Sequence, residues 1–473
     1  MKSTTKAAYG DFQTPPELAR AVCEFLVRRG VRPARVVEPT CGQGRFLVAA
    51  AEAFPHAMRW GLEIDEDYAR QARQALQERG HTATVKVGNA FRTNWVARLR
   101  AGDSPVLVLG NPPWVTSAEL SVLGVDNLPS KSNHARHMGL DARTGKANFD
   151  VSEWILQRLL GAGQGLDVTV AMLVKATVAR RLMEHALRAG WEIGAISLHR
   201  IDARQWFSAT VDAGLFCFRT SGAAALRCPV FASLDASEPE AEIAVCDGRL
   251  VADVGAYERA KPALGKAEPR WRSGIKHDCV RVMELRRVRG RLLNGLGESV
   301  DLEEQHVLPL LKSSDLRGDD RPMPRRWLVL PQRRFGESTD ALAAEAPRTW
   351  AYLQAHADAL DARRSSIYRN QPRFAVFGLG PYSFAPWKIA ISGLYKRTAF
   401  TLVGPDEDGR PTMLDDTCYF IGFDDEVTAR AALEQLRSEP AQAVLRALVF
   451  PDAKRPVTKE VLDRIDLRKL ATH

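Results

Sequence analysis

Over its first 220 residues the chain alternates short apolar runs with amphipathic segments of helical period, and this alternation narrows the choice of fold more than any other property. Residues 35–38, 59–64, 84–87, 106–109 and 168–174 read as strands. Helical spacing fills the intervals at 16–29, 44–53, 67–79, 152–160 and 179–189. Strands joined in this way by helices imply a doubly wound α/β sheet. Two further runs, 193–198 and 214–218, lie close together and predict an antiparallel end to that sheet.

The fourth strand closes on Asn111-Pro112-Pro113-Trp114. In open α/β sheets ligands bind at the carboxyl ends of strands. An exocyclic amino group on a planar ring needs two acceptors in fixed positions and a flat surface against its π-face. The Asn111 side-chain oxygen and the Pro112 carbonyl offer the acceptors, and Trp114 offers the face. Pro112 and Pro113 hold φ fixed, so the acceptors are aligned in advance. The tetrapeptide resembles the Asn/Asp-Pro-Pro-aromatic motif of amino-group methyltransferases that use S-adenosylmethionine. A stiff turn ending a strand is the competing reading. The motif alone does not separate DNA adenine enzymes from RNA or protein-glutamine enzymes.

Candidate cofactor residues occupy the ends of the other strands. Glu38-Pro39-Thr40-Cys41-Gly42-Gln43-Gly44 is an acidic strand end, a glycine turn and a helix start. Gly42 and Gly44 admit close backbone approach, and Glu38 is placed to accept from an ammonium group. Strand two ends in Glu63, where a carboxylate accepts both ribose hydroxyls. No lysine follows the glycine turn, which favours a cationic sulfonium over a phosphate. Asn89 after strand three is a candidate for the adenine edge, Phe91 for its face, and Thr14 for the methionine end. The alternative is an ordinary βαβ turn with a surface acid.

In this order the pieces resemble the gamma arrangement of N6-adenine DNA methyltransferases of restriction–modification systems. The resemblance implies a Rossmann-like methyltransferase sheet with an antiparallel last strand over residues 1–225. It also implies a mixed α+β target-recognition domain over 226–473. The segments 309–315, 363–368 and 382–388 look like parts of the same family. Family members have Asp where Asn89 stands, which puts the adenine contact in question. By position Phe207 matches the aromatic that packs on an extruded base, with a core phenylalanine as the plainer reading. Residues 114–149 form a long polar stretch, read as a lid or DNA-contacting loop. The resemblance further implies methylation of adenine N6 in double-stranded DNA by base flipping, with a separate restriction endonuclease as a partner. An RNA or protein-glutamine enzyme and an inactive DNA-binding homologue are the alternatives.

Formal net charge is +9. The second half is close to neutral, yet it holds three basic clusters, at 270–291, 317–334 and 363–373, interleaved with aromatic residues. Lys276, Arg286, Arg287, Arg333, Arg334 and Arg364 are the candidate DNA contacts; solvated faces are the alternative. The seven cysteines are scattered and never spaced Cys-x-x-Cys, so neither a disulfide framework nor a metal site is expected. Cys41 lies in the glycine turn rather than in a Pro-Cys motif, which sets aside cysteine-nucleophile chemistry. No apolar run approaches the roughly 20 residues of a membrane span, and the expected location is cytoplasmic. The expected state is a monomer.

Overall fold

The structure is a computed structural model that describes residues 13–115, 150–222, 226–316, 321–395, 398–450, 452–453 and 455–471. The expected lid or DNA-contacting loop lies, from residue 116 onward, outside the described residues. The chain divides into two compact units, Met1–Val254 and Gly255–His473.

The first unit is built on alternating strands and helices. They are α1 (Pro16–Arg28), β1 (Arg35–Glu38), α2 (Arg45–Ala53), β2 (Met58–Glu63), α3 (Glu66–Gln77), β3 (Thr84–Val87), α4 (Trp95–Arg100) and β4 (Val106–Gly110). There follow α5 (Val151–Gly163), β5 (Val168–Lys175), α6 (Ala176–Ala189), β6 (Gly194–Ile201), α7 (Ala203–Phe207) and β7 (Ala213–Arg219). Each strand and helix read from periodicity is present, with ends moved by up to three residues. Three more strands, β8 (Arg227–Phe231), β9 (Ala241–Cys246) and β10 (Arg249–Val251), complete a sheet of order β10-β9-β8-β6-β7-β5-β4-β1-β2-β3. From β3 to β5 every pairing is parallel, whereas β7 runs antiparallel to both β5 and β6. This is the Rossmann-like methyltransferase sheet with its inverted strand. The central strands β1 and β4 are buried along their whole length, and β4 accordingly reads as an unbroken apolar run, while β1 carries Arg35 and Glu38 at its two ends. Leu18, Val22 and Phe25 of α1 and Phe46 of α2 join Leu107, Leu109, Leu173 and Leu215 in one core.

The sheet continues past residue 225, the expected end of the first domain. β8 lies parallel to β6, with Leu198 opposite Val230, and β9 and β10 add antiparallel hairpin strands. Cys228, Val230 and Phe231 are buried. Pro229 and the short strand lengths disguise this alternation in the sequence.

The second unit is mixed α+β. Its strands are β11 (Arg272–Ser273), β12 (Glu284–Val288), β13 (Arg291–Leu293), β14 (Ser299–Val300), β15 (Val307–Leu311) and β16 (Arg326–Val329). β17 (Trp387–Ser392), β18 (Thr401–Val403), β19 (Met413–Leu414) and β20 (Cys418–Phe423) complete the set. They form a six-stranded sheet, β14-β13-β12-β16-β15-β19, and a four-stranded sheet, β11-β20-β17-β18. Helix α8 (Glu426–Arg437), legible in the sequence to the residue, is capped by Asp425 accepting from Thr428 N.

Residues 226–254 remove a bare strand edge by covering β6, and such edges promote association. A fragment ending at residue 254 should therefore unfold cooperatively, whereas one ending at 225 should melt lower and aggregate. Circular-dichroism melts with light scattering read the difference. Equal melting and solubility for the two fragments would show that the added strands contribute nothing to the sheet.

Candidate active site

The glycine turn, Glu63 and the Asn-Pro-Pro-Trp turn all lie at the carboxyl ends of β1, β2 and β4, the position at which such sheets bind ligands. Glu38 is the last residue of β1 and pairs with Gly61 of β2. Gly42 and Gly44 follow at φ +48° and +76°, backbone conformations that favour glycine. A side chain at Gly44 would also strike the Ala72 Cβ at 2.8 Å, so this glycine lets α2 begin close against α3.

Glu63 and Glu38 differ in the number of donors they receive. Both are buried. The Glu63 carboxylate accepts from the backbone N–H groups of Gly42 (2.7 Å), Ile64 (2.8 Å) and Asp65 (3.0 Å). Burial raises its pKa, and these three donors oppose the rise. Glu38 has less help: burial, and then the charge of Glu63, push its pKa well above the usual carboxylate range. Its Oε2 is buried without a hydrogen-bond partner among the described residues. Glu38 also adjoins the end of β4, because a Cβ at Gly110 would lie 3.5 Å from its Cγ. Pro39 is buried beside it. The result is an electronegative cradle in which neither carboxylate has an ion-pair partner among the described residues.

The remaining candidates surround this cradle unevenly. Thr14 is buried, and its neighbour Gln13 accepts from Gln43 N at 3.3 Å and crowds the space over Gly42. Gln13 is a contact that sequence reasoning passed over in favour of Thr14. The Asn89 side chain accepts from Phe91 N at 2.7 Å, and the Phe91 ring packs edge-on against Trp154 at 4.8 Å. Cys41 is buried, and burial followed by the charges of Glu38 and Glu63 drives its thiol pKa up, leaving an inert sulfur.

Asn111 is half-buried and Pro112 buried at the start of the turn. Trp114 is only 5% exposed; its Nε1 donates to Leu173 O at 3.1 Å, and Phe207 lies edge-on at 5.1 Å. In the described conformation both rings belong to the core, so the indole anchors the turn as well as bordering it. Sequence reasoning also missed the ion pair of Asp150 with Lys175 (2.8 Å), which lies beside this turn. No local spacing rule announces a pair 25 residues apart.

In the second unit, the basic stretch 270–291 ends in a hairpin. β12 and β13 pair Val288 with Arg291, and Arg289 and Gly290 turn at φ +49° and +80°. Arg286, Arg287, Arg289 and Arg291 are exposed and have no carboxylate partner among the described residues. Arg287 lies over the Trp327 ring at 5.0 Å. Lys276 is instead paired with Asp278 at 3.5 Å. The backbone N–H groups of Arg333 and Arg334 both donate to Glu337, with the Arg333 guanidinium over Phe384 at 5.3 Å. Arg364 is exposed. Lys312 and Arg363, in the segments 309–315 and 363–368, make contacts within the second unit. Lys312 and His277 both bond the buried Glu284, at 2.5 and 3.1 Å, and Arg363 stacks on Tyr368 at 3.9 Å. Among the described residues no helix is long and apolar enough to cross a membrane, and no side-chain cluster suits a metal ion.

No family model matches the chain. It is 40% identical over 471 residues to the type II methyltransferase M.NspV of Nostoc sp., an alignment covering 99% of this chain and 98% of that protein. It is 31% identical over 216 residues to the type II methyltransferase M.XamI of Xanthomonas campestris pv. amaranthicola, covering 44% of this chain and 39% of that one. Among solved structures it is similar to the type IIL restriction–modification enzyme MmeI in complex with DNA, with a TM-score of 0.52 and 14% identity. That match spans 94% of this chain and 64% of the MmeI chain, and it is a likeness of fold. The near full-length identity to M.NspV, on a sheet of the same kind as that of MmeI, shows that this chain belongs to the type II methyltransferases.

Proposed function

We propose that this methyltransferase modifies adenine N6 in double-stranded DNA, uses S-adenosylmethionine, and serves as the modification enzyme of a restriction–modification system whose endonuclease is a separate chain. The observation that carries the reading is the meeting of an Asn-Pro-Pro-Trp turn and an acidic cradle without an ion-pair partner among the described residues, at the carboxyl ends of β1, β2 and β4. S-adenosylmethionine, when bound, supplies a methyl group on a sulfonium. The cradle suits it because the ligand brings the positive charge that Glu38 lacks. In this reading Glu38 accepts from the ammonium group and Thr14 borders the methionine end. Glu63 retains its hold on Gly42 and directs its remaining lone pairs to the ribose. Asn89 and Phe91 border the adenine of the cofactor.

Adenine N6 is a weak nucleophile because its lone pair is delocalised into the ring. Asn111 and Pro112 accept its two hydrogens, which favours a tetrahedral nitrogen and frees the lone pair for in-line attack. The base has to leave the helix stack to reach them. Pro113 stiffens the turn, Trp114 provides the aromatic wall, and Phe207 backs that ring. Asn111→Ala should lower kcat about 100-fold or more while leaving S-adenosylmethionine affinity within about twofold. Tritiated methyl transfer to plasmid DNA and calorimetry read the two quantities. Label found only in RNA or protein, or full activity in the variant, refutes the assignment.

The Glu38 pKa shift has a sign that a melt can test. Folded protein keeps a proton on this carboxyl above the pH at which the unfolded chain releases it. Stability from Glu38 is therefore fully present below the usual carboxylate range and is lost as pH rises toward the raised value. Glu38→Gln should raise the melting temperature of the ligand-free protein at pH 7–8, flatten its pH dependence, and weaken S-adenosylmethionine binding. A variant that melts lower than the parent at pH 8 and binds equally well excludes the cradle.

DNA recognition belongs, on this reading, to the second unit, with the β12–β13 hairpin as its phosphate-contacting element. Arginines that neutralise phosphates release counterions. Arg286→Ala with Arg287→Ala should weaken binding to specific and random duplexes alike. It should also flatten the salt dependence by about one unit of slope per lost contact. Anisotropy over a salt series measures both, and an unaltered slope moves the DNA surface elsewhere.

A further inference from the structure

We infer that the buried ion pair of Asp150 with Lys175 positions the Asn111–Trp114 turn, and that efficient methyl transfer depends on this pair. The inference rests on the reading of that turn as catalytic. β4 ends at Gly110, opposite Met172 of β5, so the turn projects from the sheet beside the last residues of β5. Three tethers meet there. Trp114 Nε1 donates to Leu173 O. Val151 N donates to Val115 O at 2.9 Å, so the chain that leaves after residue 115 is fastened to the chain that returns at 151. Asp150, one residue earlier, sends Oδ2 to Lys175 Nζ at 2.8 Å, while its Oδ1 accepts from Ser152 N at 3.0 Å. Lys175 ends β5, two residues beyond Leu173. One strand end therefore holds the turn twice: through the indole, and through the segment that re-enters at α5.

The Asp150 side chain is 7% exposed and that of Lys175 22%, so solvent and salt screen the pair weakly. Removing either partner leaves the other charge poorly compensated next to the turn, and it will move to find solvent. Asn111 and Pro112 have to meet two hydrogens on one nitrogen, and a misplacement of about 1 Å in such an arrangement costs about 100-fold in rate. The Arg181–Glu153 pair (3.0 Å) joins α6 to α5 close by and is more exposed. It serves as an internal control.

The full-length protein is compared with Asp150→Asn, Lys175→Met, Lys175→Arg, the swap Asp150→Lys with Lys175→Asp, and Arg181→Met. The assay is tritiated methyl transfer to plasmid DNA free of adenine methylation, with S-adenosylmethionine affinity and melting temperature alongside. Asp150→Asn and Lys175→Met should lower kcat 10- to 100-fold with cofactor affinity within twofold. Either Lys175→Arg or the swap should recover at least tenfold, and Arg181→Met should stay within twofold of the parent. Parental kcat in Lys175→Met overturns the inference. So does a loss that tracks cofactor affinity and melting temperature, or one that neither rescue recovers. A parent that labels no DNA refutes the catalytic reading instead. Hydrogen exchange of the peptide 106–115 then decides the tether alone: faster exchange in Lys175→Met supports it, and an unchanged rate overturns it.

Discussion

Three backbone N–H groups converge on the carboxylate of Glu63, and one of them, from Gly42, belongs to the turn that follows a different strand. This bond sets where the glycine turn sits relative to β2. It therefore also sets where α2 starts, since Gly44 is its N-cap. The close contact of Gly44 with Ala72 then fixes the spacing of α2 and α3. A buried carboxylate requires donors, and here the donors are the orphaned amides that a tight turn must satisfy in any case. Glu38 lies next to this arrangement and receives no comparable set. The protein tolerates the cost of one poorly satisfied buried acid beside a well-satisfied one. Such an asymmetry is common where a ligand completes the electrostatics.

The parts of the fold that were legible in the sequence are those where one physical requirement dominates. Strand β4 is covered on both faces and apolar throughout, and β5 is nearly so, so their positions are plain. The Asn111–Trp114 turn is legible because its rigidity is encoded in two prolines. Strands β8 to β10 were hidden because each is short and mixed in burial, and Pro229 reads as a breaker although it lies near the sheet edge. The hairpin at 284–293 is hard to read for a related reason: its turn residues are Arg289 and Gly290 rather than Asn-Gly, and only the glycine advertises a positive φ. Cofactor candidates on strand ends were found by topology, which counts strands. Contacts between side chains of distant segments, such as Gln13 over Gly42 or Lys175 on Asp150, follow no topological rule.

Trp114 shows where sequence logic and packing compete for one residue. A planar amino group asks for an open aromatic face, whereas the sheet edge asks for a large apolar group to seal it. The described conformation answers the second demand, with the indole bonded to Leu173 and set against Phe207. The two demands are compatible only if the ring keeps one border toward the strand ends while its bulk stays in the core. A rigid turn makes that geometry attainable. Because Trp114 belongs to the same rigid turn as Asn111, its packing against Phe207 and its bond to Leu173 couple the core to the position of Asn111.

Charge tells a similar story about totals and neighbourhoods. The second half of the chain is nearly neutral, which by itself argues against an electrostatic partner. The acids, however, are largely committed to local pairs: Asp301 and Glu303 with Arg348, Asp361 with Arg373, Asp406 with Arg410, Glu426 with Arg430. These pairs consume the negative charge where it stands and contribute little beyond a few ångströms. Arg286, Arg287 and Arg291 face Leu293, Leu292 and Val288 across the hairpin, and Arg289 lies in its turn, so none of the four has an acid directly across from it. Among the described residues no ion pair offsets them, whereas the charge of residues 231–473 sums to nearly zero, 37 Lys and Arg against 36 Asp and Glu. Net charge is a poor guide to this surface, and the pairing pattern is a better one.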